Sequence, residues 1–347
     1  MNSSDGRDRR SGANVMSELL DKPDRKEEKG GLLGEAAGLT EDDSFSRELE
    51  KALTQTVAEV TATAGAQDRA QSLHNALELV SRFQPAPWFI WRLSNFVFAT
   101  GGRTNQANEG LVLGLRRLLF AAASDSVIGA GKKVNNVREA LGTLGSDVVA
   151  AVAVMFAVNR KLASKPHERI WYPILEDAVL RAQLGFLLGV VSEDHLSAGR
   201  CMLAGYAGRV GLAIQIATGT LDQARKTLDM LASGAEIKDV GLSVYGCEPL
   251  HVSGMTLTAS GVGRDAAFGT MEFSLRGAKP IAEDATQRAW HAAFSIIELA
   301  RIGHGTEIPE DAWAALGFTE KAAQDEYLAS ATQVVRRGSS LSWLLQL

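Results

Sequence analysis

Metal-dependent or acid–base chemistry needs histidines and carboxylates that converge, and this 347-residue chain carries six histidines: His74, His167, His195, His251, His291 and His304. They are scattered, with no His-Asp dipeptide and no pair at helical spacing, so the sequence assigns no metal ligand among them. Glu176-Asp177 and Glu283-Asp284 are adjacent carboxylates. Neighbours on a helix diverge by about 100°, so neither pair makes a convergent acid and base, and both read as solvated. GAGKK at 129–133 suggests a phosphate loop, but Ser126 stands where GxxxxGK[ST] needs its first glycine, and Lys133 stands where it needs Ser or Thr. Gly261-Val262-Gly263 continues as Arg-Asp-Ala and lies between helical segments, which excludes a dinucleotide-binding turn. No GxSxG occurs. Arg116-Arg117 and Arg336-Arg337 could hold phosphate, yet each sits opposite an apolar helix face and reads as a snorkelling surface pair.

The elements that would position these residues are helices throughout. Apolar residues recur every three to four positions from Leu49, Leu53 and Val57 onward, through segments expected near 70–83, 88–98, 109–123, 137–144 and 147–162. After Pro166 come 170–190 as one long helix and 193–218 as a pair punctuated by glycine. Helices near 221–232, 238–245, 248–260, 264–273, 281–302, 310–316 and 320–335 complete the set. Glycines at 205, 208, 211, 254, 261, 263 and 269 imply breaks and close helix crossings. No alternation supports a sheet, so the fold class is all-α. The expected domains are an N-terminal arm over 1–44, a helical lobe over 45–163 and a second over 164–347. The arm mixes charges and glycines too closely to build a core and reads as disordered; Leu19, Leu20, Leu32, Leu33 and Leu39 are its only candidates for docking a partner.

Hydrophobic residues make up 46% and charged residues 22%, with a formal net charge of −5. That balance gives no global attraction for nucleic acid or anionic lipid, and no apolar run reaches the 18 to 20 or so residues of a membrane span. No secretory signal is legible at the start of the chain. Cys201 and Cys247, without CxxC or CxxH spacing, read as core thiols in a reducing, cytoplasmic setting.

Residues 118–158, LLFAAASDSVIGAGKKVNNVREALGTLGSDVVAAVAVMFAV, resemble the signature stretch of the HDOD domain. This is a helical relative of the HD-type metal phosphohydrolases, found in bacterial signalling proteins. Ser124-Asp125-Ser126, Gly129, Val134, Val137, Glu139, Ala140, Leu141, Leu144 and Gly145 occupy the family's places. The order continues downstream. Ile170-Trp171-Tyr172 resembles the "lWrH" helix start, 198–212 resembles "AFlaGLLHDiGkl", 245–254 resembles the "GxdHaevG" turn, and 295–327 resembles the C-terminal helices.

The resemblance implies a multi-helix bundle over roughly 85–330, and it also shows what has changed. The superfamily uses His and Asp to hold divalent metals that activate water. Here the His-Asp dyad falls on Gly208-Arg209, the "lWrH" histidine on Pro173 or a neighbour, and the "dHaevG" histidine on Leu250 when aligned through Gly254, with His251 one residue away. Arg209 would bring positive charge to a cation's place. The expectation is therefore a degenerate member: no catalytic residue, no metal and no cofactor. It would act through protein partners in bacterial signalling, such as control of motility, biofilm or the cell surface. The alternative is a sensor of a nucleotide second messenger or other anionic small ligand, using Arg209, Arg200 or Arg264 as phosphate donors.

Overall fold

The helices begin where the local chemistry starts them. Asn136 accepts from the Glu139 N–H at 2.9 Å, which satisfies an orphan donor at the N-terminus of 137–144, while the Glu139 carboxylate accepts from the Asn135 N–H at 2.7 Å and holds the chain just before the cap. Thr220 and Gln223 form a reciprocal capping box at the start of 221–232. The computed structural model describes residues 43–64, 67–99, 112–192, 195–272 and 285–346, and among these residues there is no strand. The expected arm over 1–44 lies outside them except for its last two positions.

The helices are α1 (Asp43–Ala64), α2 (Gln67–Phe83), α3 (Trp88–Ser94, prolonged by a π-turn at Asn95–Ala99), α4 (Arg116–Ser124), α5 (Val137–Leu144) and α6 (Ser146–Ala163). Then come α7 (Glu168–Val191), α8 (Ala198–Thr218), α9 (Leu221–Ala232), α10 (Ile237–Tyr245), α11 (Pro249–Ala259), α12 (Arg264–Glu272), α13 (Ala285–Arg301), α14 (Glu310–Ala315) and α15 (Lys321–Arg337). A 3₁₀ turn at Gly305–Glu307 and another at Ser340–Leu345 complete the described chain.

α8 is the axis of the molecule. Of its twenty-one residues only Ala198, Arg200, Arg209 and Thr218 escape full burial, and α6, α7, α11 and α13 pack around it. Its tightest neighbour is α7, and the reason is the glycines. A methyl at Gly185 or Gly189 of α7 would run into the backbone of Cys201 or Ala198, and one at Gly205 of α8 into the Arg181 carbonyl. Gly199 lies in the same way against Asp147 of α6, and Gly211 against Pro249 of α11. The expected helix pair over 193–218 is thus corrected to one unbroken helix over 198–218: Gly205 and Gly211 serve close side approach, Gly208 is tolerated, and burial on every flank outweighs their weak helix propensity. Gly261 and Gly263 do mark a break, the turn between α11 and α12, with φ of 82° and 99°.

Buried apolar side chains from Leu53 to Leu344 form one connected core. Its last contribution comes from the C-terminal turn, which is held down by polar contacts as well. Gln183 accepts from Ser339 and from the Ser340 N–H, Asn159 donates to the Leu344 carbonyl at 3.1 Å, and Asp125 accepts from Ser340 and from the Trp343 indole. Among the described residues no single helix is long and apolar enough to cross a membrane; the run at 148–158 is a helix segment within this core, and the run at 184–191 leaves it at Val190 and Val191, which are exposed.

Candidate functional site

On the flank of α8 that faces α7 and α13, five charged side chains meet. Asp177 and Arg181 lie one turn apart on α7, Arg209 projects from α8, and Glu298 and Arg301 come from α13. The Asp177 carboxylate accepts from Arg181 Nε at 2.7 Å and from Arg301 Nε at 2.6 Å, and lies 3.2 Å from Arg209 Nε. Glu298 accepts from Arg209 Nη2 at 3.0 Å and from Arg181 Nη1. Contacts 177–301 and 181–298 run in opposite order, so α7 and α13 cross this site antiparallel.

Three guanidinium charges face two carboxylates, which leaves one net positive charge in a partly desolvated place. Arg181 is 2% exposed, Arg209 16%, Asp177 and Glu298 20% each, and Arg301 32%. Burial works against ionisation of Asp177, but Arg181, Arg209 and Arg301 outweigh it and hold the carboxyl below the usual carboxylate range. Burial, and then repulsion from Arg209, lowers the Arg181 guanidinium from its ordinary value against the pull of Glu298 and Asp177.

Arg209 is therefore where the resemblance sets a metal-ligating aspartate, and it is the centre of this cluster. Gly208 beside it leaves Arg181, Phe294 and Glu298 at ordinary contact distance from where its Cβ would be. Pro173 is on α7, exposed, one turn before Asp177. Leu250 is half-buried on α11, and its neighbour His251 is sealed on another flank of α8. There Ser72 Oγ of α2 lies 2.7 Å from His251 Nδ1 and accepts from the Glu248 N–H at 2.9 Å. Gln215 donates to the Cys247 carbonyl at 2.7 Å, and Ser253 links Gly211 N–H to the Ala207 carbonyl. This second constellation ties α2, α8 and α11 together and is wholly inside the core.

The remaining expectations fall out as follows. Arg200 is engaged with the Phe98 carbonyl at 2.7 Å, and Arg264 stands exposed at the start of α12, so neither joins Arg209. The 129–133 segment is a turn whose Gly129 and Gly131 N–H groups point at the Asp125 carbonyl rather than outward. Arg116, Arg117, Arg336 and Arg337 are exposed, the first lying over the Phe120 ring. Burial pushes the Cys201 thiol up to about 12 and raises Cys247 too; both are free and buried. Glu176 is exposed as expected, but Asp177 is a correction: it is paired with three arginines, and Glu283-Asp284 lies outside the described residues.

Asp177, Glu298, Arg181 and Arg301 were missed as a site, yet signals existed. Asp177 and Arg181 are an i,i+4 ion pair, and Arg209 is the sole charge in an otherwise uncharged stretch from 201 to 218, which obliges it to find partners.

No family model matches the chain, and no curated protein matches it in sequence. Solved structures do match in fold. An HDOD domain protein of unknown function from Geobacter sulfurreducens superposes with a TM-score of 0.61 at 14% identity, covering 80% of this chain and 99% of its own. A candidate phosphohydrolase from Shewanella amazonensis SB2B gives 0.57 at 13%, covering 78% and 98%, and a candidate signal transduction protein from Marinobacter aquaeolei VT8 gives 0.53 at 12%, covering 89% and 67%. The chain has an HDOD-like, all-α fold, as its sequence resemblance implies.

A phosphohydrolase of the HD superfamily would hold a divalent metal here, and the residues present do not fit one. The two carboxylates are occupied by guanidinium groups, three positive charges oppose a cation, and among the described residues no three His, Cys, Asp or Glu side chains converge.

Proposed function

We propose that this chain is a signal-transduction protein that works by binding, through a protein partner, and that it performs no metal-dependent hydrolysis. The observation that carries this reading is Arg209, bridged to Asp177 and Glu298 at the position the resemblance gives to a metal ligand. An internal guanidinium joins α7, α8 and α13 where the resemblance implies a divalent cation. One of the three similar structures is named as a candidate signal transduction protein, which supports a regulatory role for the architecture.

The test is turnover. The purified full-length chain, given manganese or iron and a chromogenic phosphodiester or phosphomonoester, is expected to match a blank of metal alone. Turnover that rises with metal and disappears in Asp177→Asn would overturn the reading. The partner half is tested by reconstitution: a complex of defined stoichiometry from two purified components supports it, and a chain that signals in the absence of any protein partner sinks it.

A further inference from the structure

We infer that the Asp177–Arg181–Arg209–Glu298–Arg301 cluster is a receptor for a phosphate group carried on a small molecule, with Arg301 as the residue that meets it. The inference rests on the binding, non-catalytic reading above and gives it a ligand chemistry.

Charge comes first. The cluster keeps one positive charge that no carboxylate among its members offsets, in a site where Arg181 is nearly sealed and Arg209 largely so. Arg181 and Arg209 repel each other across the two carboxylates they share, Asp177 and Glu298, and an incoming oxyanion adds to that compensation. Geometry comes second. Arg301 spends only its Nε on Asp177, at 2.6 Å, so among the described residues its Nη1 and Nη2 are left without an acceptor. Those two N–H-bearing nitrogens are one edge of a planar fork already fixed in place, at the solvent-reaching end of the cluster, and a fork of that shape suits two oxygens of a phosphate.

The rim argues for a phosphate ester. Ile302, next to Arg301, is 51% exposed, and Pro173 is exposed one turn before Asp177. Because α7 and α13 run antiparallel, both lie at the Arg301 end of the cluster. A phosphorylated molecule with an apolar or ring portion can cover them, whereas inorganic phosphate cannot.

The experiment uses the full chain and three probes, inorganic phosphate, adenosine monophosphate and cyclic adenosine monophosphate, each in thermal-shift and calorimetric titrations against sodium chloride at matched ionic strength. The expected result is saturable binding beyond the chloride control, tightest for a nucleotide. Arg301→Ala should bind roughly tenfold more weakly or worse, while Arg301→Lys recovers part of the loss. Arg301 is partly exposed, so both variants should keep the parent circular dichroism spectrum; Arg209→Ala, which could unfold, is not needed. Equal affinity for phosphate and nucleotides would keep the oxyanion site and assign it to free phosphate. No binding above chloride, or unchanged affinity in Arg301→Ala, would overturn the inference. Release of phosphate from adenosine monophosphate, or opening of the cyclic nucleotide to adenosine monophosphate, would break the non-catalytic reading while leaving the binding site standing.

Discussion

Two polar constellations flank α8, and they are built on opposite terms. The one toward α7 and α13 is charged, reaches solvent and joins three guanidinium groups to two carboxylates. The one toward α2 and α11 uses Ser72, His251, Gln215, Ser253 and the backbone of Cys247 and Glu248, and it is sealed. Each fastens elements more than eighty residues apart. The lesson is that residue type misleads about role: the histidine beside the expected ligand position is an internal clasp, whereas the residue that departs most from a ligand, Arg209, organises the site.

The largest effect expected from breaking this contrast is Arg181→Ala. Removing a buried guanidinium strands Asp177 and Glu298 and should cost about 3–5 kcal/mol of stability in urea unfolding. His251→Ala should cost about 2–3 kcal/mol, through a lost buried hydrogen bond and the space left behind. A loss as large as that of Arg181→Ala would mean that the neutral clasp carries as much of the fold as the charged one.

Acid sharpens the comparison further. Asp177 is held below its unfolded value of about 3.9, so it contributes stability in full above that pH and loses it as pH falls through the depressed folded value. Part of the parent's acid destabilisation below about pH 4 should therefore be missing in Asp177→Asn, as read by midpoints measured across pH. The smallest effect is Arg301→Ala, expected to change stability by less than about 1 kcal/mol because its ion pair is partly exposed. A larger loss would move Arg301 from the rim of the cluster into its structural part.

Much of the fold was legible because periodicity and punctuation are local. The segment 221–232 was placed to the residue, and α6, α7, α10 and α11 to within two residues at each end. The error over 193–218 came from reading glycine by its intrinsic propensity when tertiary contact, invisible locally, decides its use. The site was legible only in part. Gly208-Arg209 and Pro173 pointed to the right flank, but Glu298 and Arg301 lie about ninety residues beyond Arg209, and nothing near them in sequence says whom they meet. Asp177 was misjudged because a helix sends adjacent carboxylates in different directions: Glu176 outward and Asp177 inward.

The turn at Ser340–Leu345 sets an order on how the molecule can be made. Asn159, Gln183 and Asp125 lie more than 150 residues before their partners, Leu344, Ser339, Ser340 and Trp343. A nascent chain emerging N-terminus first can assemble α6, α7 and α8 early, but their polar seats stay hydrated until residue 344 clears the ribosome. Newly made copies thus pass through a stage in which the central helices are packed and one face is still open, the stage at which chaperones have something to hold.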